Sequence, residues 1–412
     1  MVTDAPAAGA VLSARDVARQ RNWVFGIVNV SHALNHMNSS MMPIMFGVMM
    51  GPLGIGYTEL GILATAHTLV GNALQAMYGF ITRFTSRAVI LGVGNIVLGV
   101  ATIATGAAQG IGHLVFLRAA AGAGSSPQHP VGSTILSSYF ENARGKALGF
   151  HNTAGSIGTL LAPPAVALLL LVMDWRMAMV LIGIPSLLLG LSYFWLRDVV
   201  RPAPGRRGLA KAGWADYWAC LKNRDLMLVS LLMMVGAAGR GGGINQTYLV
   251  PHFITDLGIA AAVAATLLTI VNVGGLVSPM AWGWLSDAFP RKLVMQVSLL
   301  LSAVTTVWLG YEDAFGLTLF LNLAVYGLVV HARGAITQAM VGDYADKERE
   351  DAAFSLYFTV GFISAPIWTL AMGAIMQEAG FTIATQVIAV SYIVGMALLV
   401  PLRLNPRPAT SA

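Results

Sequence analysis

A single cysteine, Cys220, is present in the sequence, which excludes an intramolecular disulfide framework, thiolate metal clusters and CxxC redox chemistry. Charge is scarce as well. Charged residues are 10% of the 412 positions, against about a quarter in an ordinary soluble chain. No GxxxxGK loop occurs, so nucleotide-driven work of the P-loop kind is excluded and no cofactor is expected. None of the 18 Asp and Glu falls clearly within a long apolar stretch. Enzyme chemistry built inside a membrane on paired carboxylates or an acid-oriented nucleophile is excluded with them, and no enzyme activity is expected. Residues 1–21 carry Arg15, Arg19 and Arg21 but no apolar core, so they read as a cytoplasmic tail and not a signal peptide.

What the sequence has is apolar surface: 56% hydrophobic residues, a mean hydropathy of +0.71 and 45 glycines that suit close helix contacts in lipid. A membrane-spanning helix needs about 20 mostly apolar residues. Candidate spans fall at 22–50, 57–82, 86–109, 112–140, 144–172 and 176–197, then at 225–255, 260–286, 291–310, 314–341, 350–377 and 381–403. Between the two sets lies a polar stretch, 198–224, with PAPGRRG at 202–208. The expected class is an all-α integral membrane protein of twelve transmembrane helices in two pseudo-symmetric six-helix bundles, 22–197 and 225–403, with short tails at 1–21 and 404–412.

Charge placement orients the chain. With both termini cytoplasmic, every Lys and Arg except Arg118, Arg176, Arg240 and Arg333 falls on the inner side, while outer loops carry Glu59, Asp256, Glu312, Asp313 and Glu378. This satisfies the positive-inside rule with an even span count and points to the inner membrane of a cell. The net charge of +6 then faces anionic headgroups, so lipid and not nucleic acid is the expected partner.

Between spans 8 and 9 the sequence reads Gly283-Trp-Leu-Ser-Asp287-Ala-Phe-Pro-Arg291-Lys292. This resembles the loop motif of the major facilitator superfamily, and the resemblance covers nearly the whole chain. The first-half copy, Gly79-Phe-Ile-Thr-Arg83-Phe-Thr-Ser-Arg87, has Arg83 where the family acid stands. The resemblance implies a breakable ionic latch at the cytoplasmic end involving Asp287, Arg291, Lys292, Arg83 and Arg87. Arg118 with Gly122 and Gly124 in span 4 is similar to the family's Arg-then-Gly motif, and Gly149, Gly155, Gly158 and Pro163-Pro164 resemble a glycine-rich exporter motif. Ser31-His32-Ala-Leu-Asn35-His36, Ser125-Ser-Pro-Gln-His129-Pro130 and the stretch from Arg144 to His151 look like the fosmidomycin-resistance branch.

A charge at the bilayer centre costs at least about 2.5–3.5 kcal/mol, so an ionisable residue there marks function by default. Arg118, Arg240 and Arg333 sit inside spans 4, 7 and 10, which line the central cavity in the family the chain resembles. Arg240 lies about 22 Å along a helix axis from Asp225, and Gly241-Gly-Gly243 can unwind the helix beside it. With no acid to pair them, these arginines imply a small anionic substrate gripped by a guanidinium fork. Arg118 also fits a structural role, bonded to neighbouring backbone. His32 and His36 share one face of span 1, and His129 and His331 fall in spans 4 and 10; these four are the proton-coupling candidates. His67 and His151 fall within spans too. Asn35, Asn38, Ser39, Asn245, Gln246, Tyr248, Asn272 and Tyr357 are candidate pocket members or interhelical glue.

The expectation is a secondary transporter, working as a monomer by alternating access, that moves a small anion, a carboxylate first, as proton symport or anion exchange. The alternative is a proton-coupled exporter of an antibiotic or drug, anionic phosphonates included. No metal site is expected: a His pair at i, i+4 needs one or two further ligands, and buried arginines repel a dication.

Overall fold

The computed structural model describes residues 14–82, 84–140, 144–196, 214–235, 247–346 and 349–403. A bilayer core offers no water to the backbone, so each apolar run satisfies its N–H and C=O groups internally by becoming a helix. No strand occurs among the described residues. The first half runs α1 (Ala14–Leu53), α2 (Tyr57–Ile81), α3 (Arg87–Thr105), α4 (Ile111–Ser125), a π-turn at Gln128–Gly132, α5 (Ser133–Tyr139), α6 (Arg144–Val172) and α7 (Trp175–Leu196). The second runs α8 (Trp214–Lys222), α9 (Arg224–Val235), α10 (Leu249–Thr255), α11 (Ala261–Ala288), α12 (Arg291–Leu309), α13 (Leu317–Val330), α14 (Arg333–Tyr344) and α15 (Glu350–Leu399).

Among the described residues, six helices are long and apolar enough to cross a membrane on length and composition alone: those over Arg87–Thr105, Ala147–Val172, Trp175–Trp195, Ala261–Ala288, Arg291–Leu309 and Ala352–Leu399. The last makes two passes, because Gly380 at φ +82° turns the chain inside α15. Span 4 is built from α4, the π-turn and α5, span 7 from α9 and α10, and span 10 from α13 and α14. The total is twelve spans in two six-helix bundles. Two departures from the expected pattern stand out. The polar stretch 198–224 contains α8, a short helix that ends just before span 7, and span 10 is interrupted at His331–Ala332.

Glycine sets the closest packing. Gly92 and Gly99 on α3 face Gly190 and Gly183 on α7: a Cβ on Gly99 would lie 2.8 Å from the Gly183 carbonyl oxygen, and one on Gly183 only 2.5 Å from that of Gly99. Both pairs are seven residues apart, so one stripe of small residues joins two antiparallel helices in lipid, where backbone approach replaces the hydrophobic effect. Large apolar side chains such as Phe116, Leu168, Met280 and Val390 stay uncovered on the outside, where acyl chains take the place of water.

The two bundles are joined unevenly. On the side of the α1–α2 connection, the Tyr57 hydroxyl donates to Asp256 Oδ2 at 2.8 Å and lies 2.8 Å from Thr255 Oγ1, and the Tyr57 N–H donates to Gln377 Oε1 at 2.9 Å. Further along, Thr65 Oγ1 donates to the Pro366 carbonyl at 3.1 Å, and Asn272 Nδ2 to that of Thr159 at 3.3 Å. Toward the other side α2 and α15 part, and a cavity of about 1200 Å³ opens between them, lined by Leu69, Asn72, Gln75, Phe358 and Ile363 among others.

Candidate functional site

A second cavity, of about 550 Å³, lies between the bundles and takes walls from both. α1 contributes His32, His36, Ser39, Ser40 and Pro43; α2 contributes Ala64, His67 and Thr68; span 4 contributes Arg118 and His129. α6 adds Asn152, Ser156, Thr159 and Leu160, and the second half adds Thr247, Asn272, Gly275, Leu276, His331 and Thr369. No carboxylate is among these residues.

Local breaks in the helices deliver the side chains. The π-turn after α4 turns His129 toward the cavity, a common use of such bulges. The break between α13 and α14 leaves His331 at the end of α13, with Nδ1 3.0 Å from the Gly327 carbonyl. Span 4 and span 10 hold matching places in the two halves, so the pseudo-symmetric pair is broken in both and carries a cavity histidine in both. Glycine makes room opposite: Gly155 on α6 faces His32 and His36, and Gly275 on α11 faces His331.

The histidines of the first half form a cluster. The His32 and His36 ring centroids are 4.6 Å apart, and His129 stands 4.8 Å from His32 and 5.3 Å from His36, all edge to face. His151 stacks on His32 at 3.8 Å. His32 Nδ1 lies 2.6 Å from the His151 carbonyl oxygen, so it carries the proton and donates, and Nε2 is left as a lone pair. That Nε2 is buried and has no hydrogen-bond partner among the described residues. His36 Nδ1 faces Thr159 Oγ1 at 3.4 Å.

Arg118 projects from α4 onto the same wall. It is 5% exposed, and its Nε has no hydrogen-bond partner among the described residues. Arg240 and Asn245 lie outside the described residues, as do Gln246 and Arg83. Arg333 begins α14 and is buried with its guanidinium 5.8 Å from the centre of the Tyr392 ring, off the cavity wall. Three further expected pocket members also stand away from the wall. Asn35 Nδ2 donates to the Ser125 carbonyl at 3.3 Å, the Tyr248 hydroxyl donates to that of Thr369 at 2.6 Å, and the Tyr357 hydroxyl bonds Thr337. Asn38 takes a hydrogen bond from Thr102 at 3.1 Å, joining α1 to α3.

The expected latch residues make contacts inside the second half. Arg291 pairs with Asp287 at 3.0 Å and with Asp343 at 3.3 Å, tying α12 to the ends of α11 and α14. Lys292 Nζ donates to the Val400 and Leu402 carbonyls at 2.8 and 3.1 Å, closing the free end of α15. Arg87 is the first residue of α3. No bond described for these residues reaches the other bundle, because the bundles are parted on this side.

Several cavity residues were missed in the sequence. Asn152, Ser156 and Thr159 recur at helical spacing on α6, and Ser40 and Pro43 fall on α1 beside the expected His32, His36 and Ser39. A polar stripe of period 3.6 inside an apolar span was therefore the available signal.

Twelve helices, two bundles and, between them, a cavity lined by histidine, hydroxyl and amide side chains and Arg118 define a multi-pass membrane transport protein. The Major Facilitator Superfamily model matches residues 28–246 and 237–412, and the chain belongs to that superfamily of transporters. It is 23% identical to a probable L-galactonate transporter of Escherichia coli K12 over 73% of this chain and 71% of that one. It is 21% identical to the hexuronate transporter of the same strain over 96% of both. Among solved structures it is similar to a bacterial homologue of the human lysosomal transporter Spinster in an inward-facing, occupied conformation, with a TM-score of 0.76 at 16% identity, covering 95% of this chain and 99% of that one. The resemblance to the fosmidomycin-resistance branch gains no support from these relatives.

Proposed function

We propose that the protein carries a small organic carboxylate of sugar-acid size across the membrane by alternating access, with the anion held at Arg118 in the histidine-lined cavity. The observation that carries this reading is Arg118 itself: a guanidinium inside the membrane, on the wall of a cavity without a carboxylate, with an N–H left unbonded. A carboxylate in the cavity supplies the counter-charge that its wall lacks. The galactonate and hexuronate relatives favour a hydroxylated acid, and Ser39, Ser156, Thr159 and Asn272 offer hydroxyl and amide partners for its other oxygens.

The positive-inside distribution supports a chain held in the inner membrane with its termini and 198–224 on the cytoplasmic side. On that orientation the Tyr57–Asp256 end is the outer one and is shut, and the cavity between α2 and α15 opens inward. The cavity histidines, His331 and His36 foremost, are the groups able to take a proton with the anion, which makes symport the first coupling to test and exchange the second. Arg240, set by sequence in span 7, remains a second candidate grip from the other half.

Uptake of labelled D-galactonate and D-glucuronate into proteoliposomes tests this, with and without an inward proton gradient. Arg118→Gln is expected to reduce uptake at least about tenfold, equal to about 1.4 kcal/mol of lost interaction, and Arg118→Lys to keep part of it. Normal transport by a well-folded Arg118→Gln protein would sink the reading.

A further inference from the structure

We propose that His32, His36 and His129 form a binding site for a divalent transition ion of the Zn²⁺ class, with the fourth coordination position open to the central cavity. Each of the three offers a ring nitrogen, and these atoms all lie within 4.8 Å of one another. The pair on α1 alone is too few, and the π-turn of span 4 supplies the third ligand that no local sequence spacing revealed. Three imidazoles with one open position are the ligand set of an accessible tetrahedral Zn²⁺ site.

Orientation is the independent observation. A metal-binding histidine typically donates its other ring N–H to a carbonyl or a similar acceptor, which fixes the tautomer. His32 does this: Nδ1–H is committed to the His151 carbonyl at 2.6 Å, the residue is 1% exposed, and its Nε2 meets no hydrogen-bond partner among the described residues. The arrangement leaves an acceptor lone pair in a place where no described donor meets it, and a cation is the complementary ligand. His36 repeats the pattern more loosely, with Nδ1 against Thr159 Oγ1 at 3.4 Å. In a tetrahedral site with Zn–N near 2.0–2.1 Å, ligand nitrogens stand about 3.3 Å apart, so the rings close inward by an ångström or so on binding. His129 faces the open cavity and has room to make that movement.

Arg118 on the same cavity repels a bare dication, and an anion in the cavity relieves both charges. A carboxylate, alone or with a neighbouring hydroxyl, would complete the coordination while contacting Arg118. Ion and anion then strengthen each other's binding by the same factor.

The test uses the metal alone, with no anion substrate, so that it stands or falls separately from the carboxylate reading. The full-length protein is purified in detergent without a polyhistidine tag and titrated with Co²⁺ and Zn²⁺. The expected result is about one ion per chain, a tetrahedral visible spectrum for Co²⁺, and displacement by Zn²⁺. His36→Ala and His129→Ala are each expected to weaken binding at least about tenfold, and His113→Ala, in the exposed start of α4, to leave it unchanged. X-ray absorption of the Co²⁺-loaded wild-type protein supplies a readout that needs no variant: three imidazole ligands are expected. Fewer than three, an octahedral spectrum, or stoichiometric binding that survives both His36→Ala and His129→Ala would overturn the site.

Discussion

Arg118 and the helix-contact glycines represent opposite kinds of residue in this molecule, and their sequence signals were unequal. A guanidinium in an apolar span is visible at once, but whether it faces the cavity depends on helix rotation and on what packs around it. Arg118 reaches the wall while Arg333 turns toward Tyr392, although in the sequence it was Arg118 that also fitted a structural role. The same limit explains Tyr248 and Tyr357, whose hydroxyls are absorbed by Thr369 and Thr337. Glycine is the reverse case, because 45 of them raise no single one above the rest until neighbours are known. Gly99 now separates from Gly26: an added Cβ meets the Gly183 carbonyl and the Leu187 N–H in the first, and nothing within 4 Å in the second. Gly99→Val is therefore expected to destabilise the α3–α7 contact by about 1–3 kcal/mol or more, lowering the apparent melting temperature in detergent. Gly26→Ala should leave that temperature unchanged or slightly raised, and equal effects from the two would refute the close-packed stripe.

At the scale of helices, hydropathy and charge were enough to find all twelve spans, since a bilayer permits few alternatives to a helix of about 20 apolar residues. What composition did not mark were the π-turn at Gln128–Gly132 and the break at His331, because each interrupts the helix without ending its span. Nor did it foretell which helix ends touch. Tyr57, Thr255, Asp256 and Gln377 come from distant parts of the chain and meet only because the bundles lean together there. The Asp256 carboxyl in that contact is pulled two ways. Burial raises it, but the hydrogen bonds from His252 and Tyr57 outweigh burial and hold it below the ordinary value of 3.8. A carboxylate depressed in this way stabilises the contact above its ordinary titration range, and the contribution is lost only as pH falls through the depressed value. Acidifying the outer face from about pH 7 to about pH 5 should accordingly leave this end shut. Thiol labelling of a cysteine placed beside Tyr57, in a Cys220→Ser background, would measure it. Opening within that interval in the parent, matched by an Asp256→Asn protein open at both pH values, would contradict the assignment. Tyr57→Phe, which removes the hydroxyl that joins the bundles, should raise labelling at neutral pH.

For the molecule as a whole, the cavity's lack of acids sets the expected transport cycle. Arg118 and the histidine cluster line a space that closes when the bundles rock, and no described carboxylate lines it with them. Closing the empty cavity buries an uncompensated guanidinium, whereas closing it around an anion buries a pair, so the loaded protein should change state more readily than the empty one. The shut end, held by Tyr57 and Thr65 against the second bundle, adds a further cost to leaving the present state. Return of the empty carrier is then the slow step, and exchange of one anion for another should outrun net movement. The measurement is efflux of labelled D-galactonate from proteoliposomes at equal pH on both sides. Unlabelled anion added outside is expected to accelerate efflux several-fold, and Arg118→Gln to reduce that acceleration along with the overall rate. If outside anion has no effect while net efflux is brisk, the empty cavity closes easily, and some group beyond the described residues must neutralise Arg118 during the return.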